Sequence, residues 1–259
     1  MSDRTPLSGK RIVVTRARHQ APPLEALIRE YGGIPIAYPC IEIKLPAEPY
    51  DLDAHLRDLR NFDWLALSSS NAVWALAERA RAVGAEREFA NIKIAALGPA
   101  TSAELRRQFS RAADFTPTLY SAEGLARQLP LEQGDRVLLP QSDLADEKTA
   151  RILRARGGAV TALVAYRTIA GTGGLDVPSL IAQGEIDALS FASPSAVRYF
   201  RQRCPLEGAL RLPALCLGPS TAKAAGDYRF QELIKPSNIS LGGMMSALSD
   251  YFAARDVAP

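Results

Sequence analysis

Residues 188–200 read ALSFASPSAVRYF, and residues 64–76 read WLALSSSNAVWAL. In both stretches an apolar run is followed by small hydroxyl-bearing residues and then by residues that favour a helix. A short continuous apolar run is typical of a parallel strand that is buried on both faces. Ser193 is a suitable N-cap, and Pro194 suits the first helical position, where no amide donor is needed. Both stretches therefore predict a strand that leads directly into a helix.

The two stretches belong to an internal repeat. Ser193 lies 124 residues after Ser69 (193 − 69), which is about half of the 259-residue chain. Four phrases recur in the same order, which indicates a duplication. The other three pairs are KRIVVTRARHQAPPLEALIREYGGIPI (10–36) with DRVLLPQSDLADEKTARILRARGGAVT (135–161), IAALGPATSAELRR (94–107) with PALCLGPSTAKAAG (213–226), and TPTLYSAEGLARQL (116–129) with KPSNISLGGMMSAL (235–248).

Short apolar runs alternate with helical patterns in each half, so the sequence predicts an α/β fold. Helices are expected at 24–31 and 72–82, where leucines and alanines recur at helical spacing. Alternation of this kind predicts a doubly wound parallel sheet, and five runs in each half favour a flavodoxin-like strand order. The predicted strands are 12–15, 34–38, 64–68, 94–97 and 114–115 onward, with counterparts at 137–139, 160–164, 188–192, 214–217 and 233–234.

Composition narrows the class of protein. A net charge of +3 with scattered basic residues lacks the footprint of a nucleic-acid-binding protein. We expect no membrane helix, because no stretch approaches the roughly 18 uncharged apolar residues that one needs. The three cysteines (Cys40, Cys204 and Cys216) have no metal-ligand spacing, and the N-terminus lacks the apolar core of a signal peptide. These features predict a cytoplasmic protein without a metal.

The candidate binding residues lie where the predicted strands end. The carboxyl ends of parallel strands meet at one edge of a sheet, where ligands of such sheets bind and where helix N-termini favour anions. Two such edges facing each other would form a cleft for a large polyanion. The same residue types also cap helices without binding a ligand. The candidates of this kind are Ser69, Ser70, Asn71, Thr101, Ser121, Ser193, Ser195 and Thr221. Arg16, at the end of the first strand, could meet a carboxylate or could equally be a solvated arginine.

The sequence lacks the motifs that several common types of catalysis require. The two histidines, His19 and His55, sit in no motif, and no Ser-His-Asp arrangement can be assembled. Neither GxxxxGK[ST] nor GxGxxG occurs. The sequence therefore predicts chemistry that needs little acid–base machinery, no metal and no nucleotide.

The phrases KRIVVTR, FDWLALSSSNAV, IAALGPATSAEL, EIDALSFASPSAVRYF and LCLGPSTAKAA together resemble the uroporphyrinogen-III synthase family, across roughly residues 10–252. The resemblance implies a small-molecule substrate, hydroxymethylbilane, a linear tetrapyrrole that bears eight carboxylates. The family expels the terminal hydroxyl as water, closes the ring, inverts the last pyrrole and uses no cofactor. Such a task is largely one of orientation, and it matches a cleft lined with amides and hydroxyls.

The resemblance also implies a domain arrangement that the repeat alone does not give. The family has two flavodoxin-like domains joined by two β connections. On this chain, 1–39 together with 172–259 would form a discontinuous first domain and 42–165 the second, with YPCIEIKL and LVAYRTIA as the crossings. From the repeat alone we would divide the chain near residue 132.

Site residues follow from the resemblance one by one. Tyr166, in AYRT, matches the tyrosine that the family offers as a general acid for departure of the hydroxyl. Asn71 stands where some relatives carry an arginine. Gln141 replaces the threonine or arginine-like residue that ends the corresponding strand of the first copy, so the two walls of the cleft are not equivalent. The strand-end serine and threonine positions of the family match Ser69, Ser70, Ser193 and Ser195, and the threonines after Gly-Pro match Thr101 and Thr221.

Two alternatives to a synthase remain at this point. The same fold could serve as a non-catalytic sensor of a tetrapyrrole or another anion, which the scarcity of catalytic groups favours. A flavodoxin-like enzyme that depends on a flavin or a nucleotide is disfavoured by the missing phosphate loop. We expect a monomer.

Overall fold

The structure, a computed structural model, describes residues 7–256. Within this part of the chain there are ten β-strands and ten α-helices. The strands are β1 (Arg11–Val14), β2 (Ile34–Ala37), β3 (Ile41–Lys44), β4 (Trp64–Leu67), β5 (Lys93–Ala96), β6 (Arg136–Ser142), β7 (Ala159–Ala170), β8 (Ala188–Phe191), β9 (Ala214–Cys216) and β10 (Leu233–Ile234). The helices are α1 (Pro22–Glu30), α2 (Tyr50–Arg57), α3 (Ser70–Val83), α4 (Pro99–Phe109), α5 (Ala122–Gln128), α6 (Lys148–Ala155), α7 (Val177–Ala182), α8 (Pro194–Arg203), α9 (Pro219–Asp227) and α10 (Leu241–Asp256).

The predicted α/β fold with parallel sheets is confirmed. The pairs β1–β2, β1–β8, β8–β9, β9–β10, β4–β5, β4–β6 and β6–β7 are all parallel. The strand expected from 114 onward is wrong in extent, because only a single bridge joins Phe115 to Ala95. The strand expected at 160–164 is longer than predicted, since β7 continues to Ala170.

The chain divides into two compact units. Unit 1 comprises the residues up to Glu42 and those from Ile169 onward, and unit 2 comprises Ile43–Thr168. Each division point falls inside a strand, the first in β3 and the second in β7. None of the helices in the described part of the chain combines the length and the apolar composition that a bilayer crossing requires.

Unit 1 is a sheet covered on both faces. Its strands lie in the order β10-β9-β8-β1-β2. One face packs against α1 and α10 through a buried cluster that includes Ile12, Leu24 and Met244. The other face carries an aromatic cluster in which Phe191 of β8 meets Phe200 of α8 at 5.4 Å between ring centroids. Alternate residues of each short strand are therefore buried on opposite sides, which explains why the strands read as continuous apolar runs.

Unit 2 repeats this construction with a different strand order, β3-β7-β6-β4-β5. One face packs against α5 and α6 through a cluster that includes Trp64, Leu125 and Leu153. Leu65 and Leu67 alternate with the residues of that cluster and are fully buried, so they face the opposite side, where α3 contacts the sheet.

In each unit, two neighbouring strands send their helices to opposite faces of the sheet. In unit 1 these strands are β1, followed by α1, and β8, followed by α8. In unit 2 they are β6, followed by α6, and β4, followed by α3. A crevice forms beyond the carboxyl ends of such a strand pair, and ligands of open α/β sheets bind there. This topology identifies the edge at which functional residues of each unit are expected.

A glycine lets two segments of unit 1 approach closely after β7. The backbone of Gly174 has φ +88°, and a Cβ at this position would lie 2.4 Å from the carbonyl oxygen of Ala37. The neighbouring Leu175 donates its amide to that same carbonyl at 3.0 Å. A side chain at position 174 would therefore disturb the hydrogen bond that closes this part of unit 1.

We expect Gly174→Ala to lower the thermal midpoint more than Gly184→Ala does. Gly184 has a similar φ of +72°, and a methyl group added there would meet nothing within 4 Å, so it reports the backbone strain alone. That strain costs about 1–2 kcal/mol, and overpacking adds about 1–3 kcal/mol. Calorimetry of the two variants should separate them by several degrees. Equal midpoints would show that the close approach at Gly174 is unimportant.

Candidate active site

The hydroxyl of Tyr166 lies in a polar cluster at the strand-end edge of unit 2. The pairing of β6 with β7 shifts between Gln141 and Ser142, so that Ser142 stands opposite Tyr166 and Ala165 is skipped. Irregularities of this kind re-aim side chains and are common next to active sites. The Ser69 hydroxyl lies 3.0 Å from the phenol oxygen. Three strands that are adjacent in the sheet thus contribute to one cluster.

Ser69 is held in place by a second role. Its backbone is extended, with φ −160° and ψ 154°, and its Oγ accepts a hydrogen bond from the backbone amide of Ala72 at 3.1 Å. It is therefore the N-cap of α3, as the sequence predicts. A hydroxyl has one donor and two acceptor sites, so Ser69 can cap the helix and bond Tyr166 at the same time.

Tyr166 is a neutral phenol at physiological pH. Its side chain is buried, with 6% of the residue exposed. Burial raises the pKa of Tyr166 above its ordinary value of 10, while hydrogen bonds with Ser69, Asn71 and Ser142 partly oppose the shift. The protein therefore keeps the proton on Tyr166 and surrounds its oxygen with hydrogen-bonding groups, which suits a proton donor.

Ser142 and Asp143 are site residues that the sequence reasoning missed. Asp143 Oδ1 accepts from the Ser142 hydroxyl at 3.1 Å and from the backbone amide of Thr168 at 3.0 Å. Ser142 Oγ also accepts from the amide of Leu144 at 3.2 Å, so the hydroxyl facing Tyr166 is fixed from several directions. The sequence contains a pattern that could have indicated them. Ser142 and Asp143 are polar residues that follow an apolar run, and the same pattern led to the selection of Ser69.

The other candidates of unit 2 lie apart from this hydrogen-bonded cluster. Ser70 is the first residue of α3, and Gln141 is partly exposed on β6 just before the register shift. Ser121 caps α5 by accepting from the amide of Gly124 at 2.9 Å. Thr101 is buried in the first turn of α4, with 4% exposed. A binding role for these four residues stays a prediction.

In unit 1 a serine also caps the helix that follows a central strand, but its hydroxyl is paired with a serine and not with a tyrosine. Ser193 is the N-cap of α8 and accepts from the amide of Ala196 at 3.2 Å. Its hydroxyl lies 2.9 Å from that of Ser195. Thr221, in the first turn of α9, is 2% exposed and is therefore as buried as its counterpart in unit 2. The N-cap predicted at Ser193 is thus observed, and its hydroxyl pairs with a serine side chain.

Arg16 follows β1 at the strand-end edge of unit 1. Its Nε atom is buried and has no hydrogen-bond partner among the residues that the structure describes. Burial lowers the pKa of the Arg16 guanidinium, which nevertheless stays charged at neutral pH. The neighbouring Thr15 donates its hydroxyl to the carbonyl of Ser190 at 2.6 Å and so fixes the end of β1 against β8. A cation with a buried, unsatisfied N–H group is a candidate for binding an anionic ligand.

Thiol and metal chemistry find little support in residues 7–256. No group of three or more His, Cys, Asp or Glu side chains in that range is placed to hold a metal ion. The three cysteines are free and buried, and burial raises the pKa of Cys216 to about 12 and the pKa of Cys40 further. These thiols are therefore protonated at neutral pH and are poor nucleophiles.

A family model described as "Uroporphyrinogen-III synthase HemD" matches residues 22–246. The chain belongs to the uroporphyrinogen-III synthase family. The match spans most of both units, including the Tyr166 cluster of unit 2 and the serine-capped α8 of unit 1. Family membership confirms the resemblance on which the residue assignments were based, and the family acts on a small-molecule tetrapyrrole.

Individual relatives agree with the family assignment. The chain is 29% identical to a uroporphyrinogen-III synthase of Synechococcus elongatus over 95% of this chain and 97% of that protein. It is 28% identical to a porphyrin biosynthesis protein HemD of Ruminiclostridium josui over 88% of this chain, but spans only 46% of that longer protein. A solved structure of a mutant uroporphyrinogen III synthase from Thermus thermophilus matches with a TM-score of 0.65 at 20% identity, covering 95% of this chain and 100% of that one. This last similarity supports the fold.

We expect the free energies of unfolding to reveal coupling between Ser69 and Tyr166. Ser69→Ala removes the cap and the phenol's partner and should cost about 1–2 kcal/mol, whereas Tyr166→Phe should cost about 1 kcal/mol. In a double-mutant cycle measured by denaturant unfolding, the two losses should fall short of additivity by about 0.5–1 kcal/mol.

Ser193→Ala provides the matched control for this cycle. Ser193 caps α8 in the same way but has no bond to Tyr166, so its loss should add to that of Tyr166→Phe. Additive losses for Ser69→Ala and Tyr166→Phe as well would mean that the 3.0 Å contact contributes no stability.

Proposed function

We propose that this protein is a uroporphyrinogen-III synthase, which cyclises hydroxymethylbilane with loss of water and inversion of the last pyrrole ring. The observation that carries the proposal is the family match over residues 22–246. A relative that bears this name over nearly its whole length supports catalysis rather than sensing. The product would feed tetrapyrrole biosynthesis.

The Tyr166 cluster supports the first chemical step of this proposal. Breaking the bond between carbon and the terminal hydroxyl requires a proton, because water is a far better leaving group than hydroxide. A buried neutral phenol can supply that proton, and Ser69 and Ser142 can orient it. Ring closure releases one proton from the attacked pyrrole carbon, so the phenol can be restored and the net loss is one water.

The strand-end edges would then determine which product forms. Spontaneous closure gives the isomer without inversion, so the enzyme must stabilise one of two competing transition states. Hydroxyls such as Ser193 and Ser195 and the cation Arg16 are suited to hold the carboxylates of a flexible chain. Holding the substrate bent in one shape is catalysis by orientation, which can contribute about 7–11 kcal/mol in favourable systems.

We propose that each unit is a flavodoxin-like domain. If the strands of unit 1 are numbered along the chain, their spatial order is 2-1-3-4-5, which is the flavodoxin-like order. In unit 2 the same order results if β6 is counted first, since β7-β6-β4-β5 is followed by the bridge at Phe115. Permutation of the repeat by one strand–helix pair accounts for the discontinuous first domain, 1–39 with 172–259, around the second, 42–165.

The reaction class and the lack of a cofactor rest on the family resemblance, and the remaining parts of the proposal rest on composition and charge. The enzyme would be a hydro-lyase that works without a cofactor. It would act as a monomer in the cytoplasm, with no nucleic-acid or membrane partner.

Isomer analysis tests the function directly. Freshly prepared hydroxymethylbilane incubated with the protein should give mainly the type III isomer, as separated by chromatography after oxidation to the porphyrin. Only type I product, at the rate of the spontaneous reaction, would contradict the proposed function.

Tyr166→Phe should lower kcat by at least about tenfold, because general acid catalysis typically contributes 10²–10⁴-fold. Tyr38→Phe is a suitable control, since Tyr38 is also a buried phenol, 3% exposed, but its hydroxyl donates to the backbone carbonyl of Arg203. Normal turnover in Tyr166→Phe would remove this residue from the mechanism and leave the function intact.

A further inference from the structure

Arg198 is a second arginine of unit 1 with a buried guanidinium nitrogen that lacks a partner. It lies in the second turn of α8, three residues after Ser195 and therefore on the same face of the helix. Its Nε atom is buried and makes no hydrogen bond to any residue in 7–256. Its guanidinium carbon lies 4.6 Å from the ring centre of Tyr199, a contact that leaves the Nε–H group unsatisfied.

Other arginines of the chain show that partners are usually provided. Arg79 forms a two-pronged pair with Asp53, with an Nε–Oδ1 distance of 2.8 Å. Arg201 is bonded to backbone carbonyls, one of them that of Leu206 at 2.9 Å. A buried polar group without a partner is unfavourable, and more so when it is charged. Three such groups occur in residues 7–256, the Nε atoms of Arg16 and Arg198 and the Nε1 atom of Trp64. The two arginines are the cations among them and are suited to bind an anionic ligand.

Both arginines belong to the strand pair at which the helices of unit 1 diverge. β1 and β8 are in register, with Val14 opposite Ser190. Arg16 lies two residues beyond Val14, and Ser193, the cap of α8, lies three residues beyond Ser190. Side chains of a helix tilt toward its N-terminus, and α8 begins at the edge from which Arg16 emerges, so this general tilt favours an Arg198 side chain directed toward that edge.

The repeat shows that these cations are specific to unit 1. Position 16 corresponds to Gln141 by the 125-residue offset of the first phrase, and position 198 corresponds to Trp74 by the 124-residue offset of the second. Both counterparts are uncharged. The cations are therefore not required by the strand–helix architecture, which forms equally well in unit 2 without them.

We propose that Arg198, together with Arg16, Ser193 and Ser195, forms a carboxylate-binding subsite of unit 1 for the acetate or propionate side chains of hydroxymethylbilane. The planar guanidinium matches a carboxylate through two parallel hydrogen bonds, and hydroxyls can donate to the same group. The subsite positions the substrate and takes no part in bond breaking. This inference rests on the proposed function and adds to it a residue for binding.

The experiment measures initial rates against hydroxymethylbilane concentration for the wild type, Arg198→Gln and Arg198→Lys. Charge-assisted hydrogen bonds contribute about 1.5–3 kcal/mol, so KM should rise roughly 10–100-fold in Arg198→Gln while kcat changes less than about threefold. Arg29→Gln is the control for charge, because Arg29 is a cation of α1 with 60% of its side chain exposed. It should keep the KM of the wild type.

Thermal stability separates binding from a structural role. Arg198 is partly exposed as a residue, but its buried Nε–H group has no partner and adds no stability to the free protein. Arg198→Gln should therefore melt at the same temperature as the wild type or higher. If Arg198→Gln melts at a lower temperature, Arg198→Lys decides between binding and structure. A KM of Arg198→Lys between those of the wild type and Arg198→Gln supports the subsite. A KM equal to that of Arg198→Gln overturns it. An unchanged KM in Arg198→Gln, or an equal rise in Arg29→Gln, would also overturn it. Failure of the function itself is distinct, because the wild type would then form no type III isomer.

Discussion

The structure depends on one constraint, which is that neighbouring parallel strands in each sheet send their helices to opposite faces. At β1 and β8, and again at β6 and β4, the chain leaves the sheet edge in diverging directions. Two of the helices that start there, α3 and α8, have free amides that Ser69 and Ser193 cap. The edge is therefore polar for a structural reason before any function is considered. The polar groups that cap these helices are thus already in place for binding or catalysis.

The duplicated edges have then diverged in charge. In unit 2, Gln141 precedes the residue that faces Tyr166. The phenol bonds neutral groups, and the nearby carboxylate of Asp143 further favours the protonated phenol. An arginine at position 141 would stabilise the phenolate form of Tyr166 and lower the pKa of this residue. Tyr166 would then lose its proton more readily. In unit 1, Arg16 stands at the corresponding position, where no phenol needs protecting. Neutral and acidic groups on one edge and cationic groups on the other are thus compatible with two different tasks.

Sequence reasoning predicts those features that follow from local periodicity and local chemistry. Buried strands read as apolar runs, and serine before an alanine-rich segment predicts a cap, as observed at Ser69 and Ser193. The register shift at Ser142 escapes such reasoning, because a bulge depends on how β7 pairs with β6 and leaves no periodic trace. The strand expected at Phe115 is reduced to a single bridge with Ala95, and the apolar pattern does not predict how far such pairing extends. Strand order in unit 2 is equally non-local.

Arg198 shows most clearly what the sequence leaves undetermined. A lone arginine on an amphipathic helix is usually a solvated surface residue, so the pattern alone gives no reason to select it. Only the three-dimensional environment shows that its Nε is buried without a partner, and only the comparison with Trp74 shows that the fold does not demand it. A residue that is costly for the free protein and unnecessary for the architecture is best explained by an interaction made with a ligand.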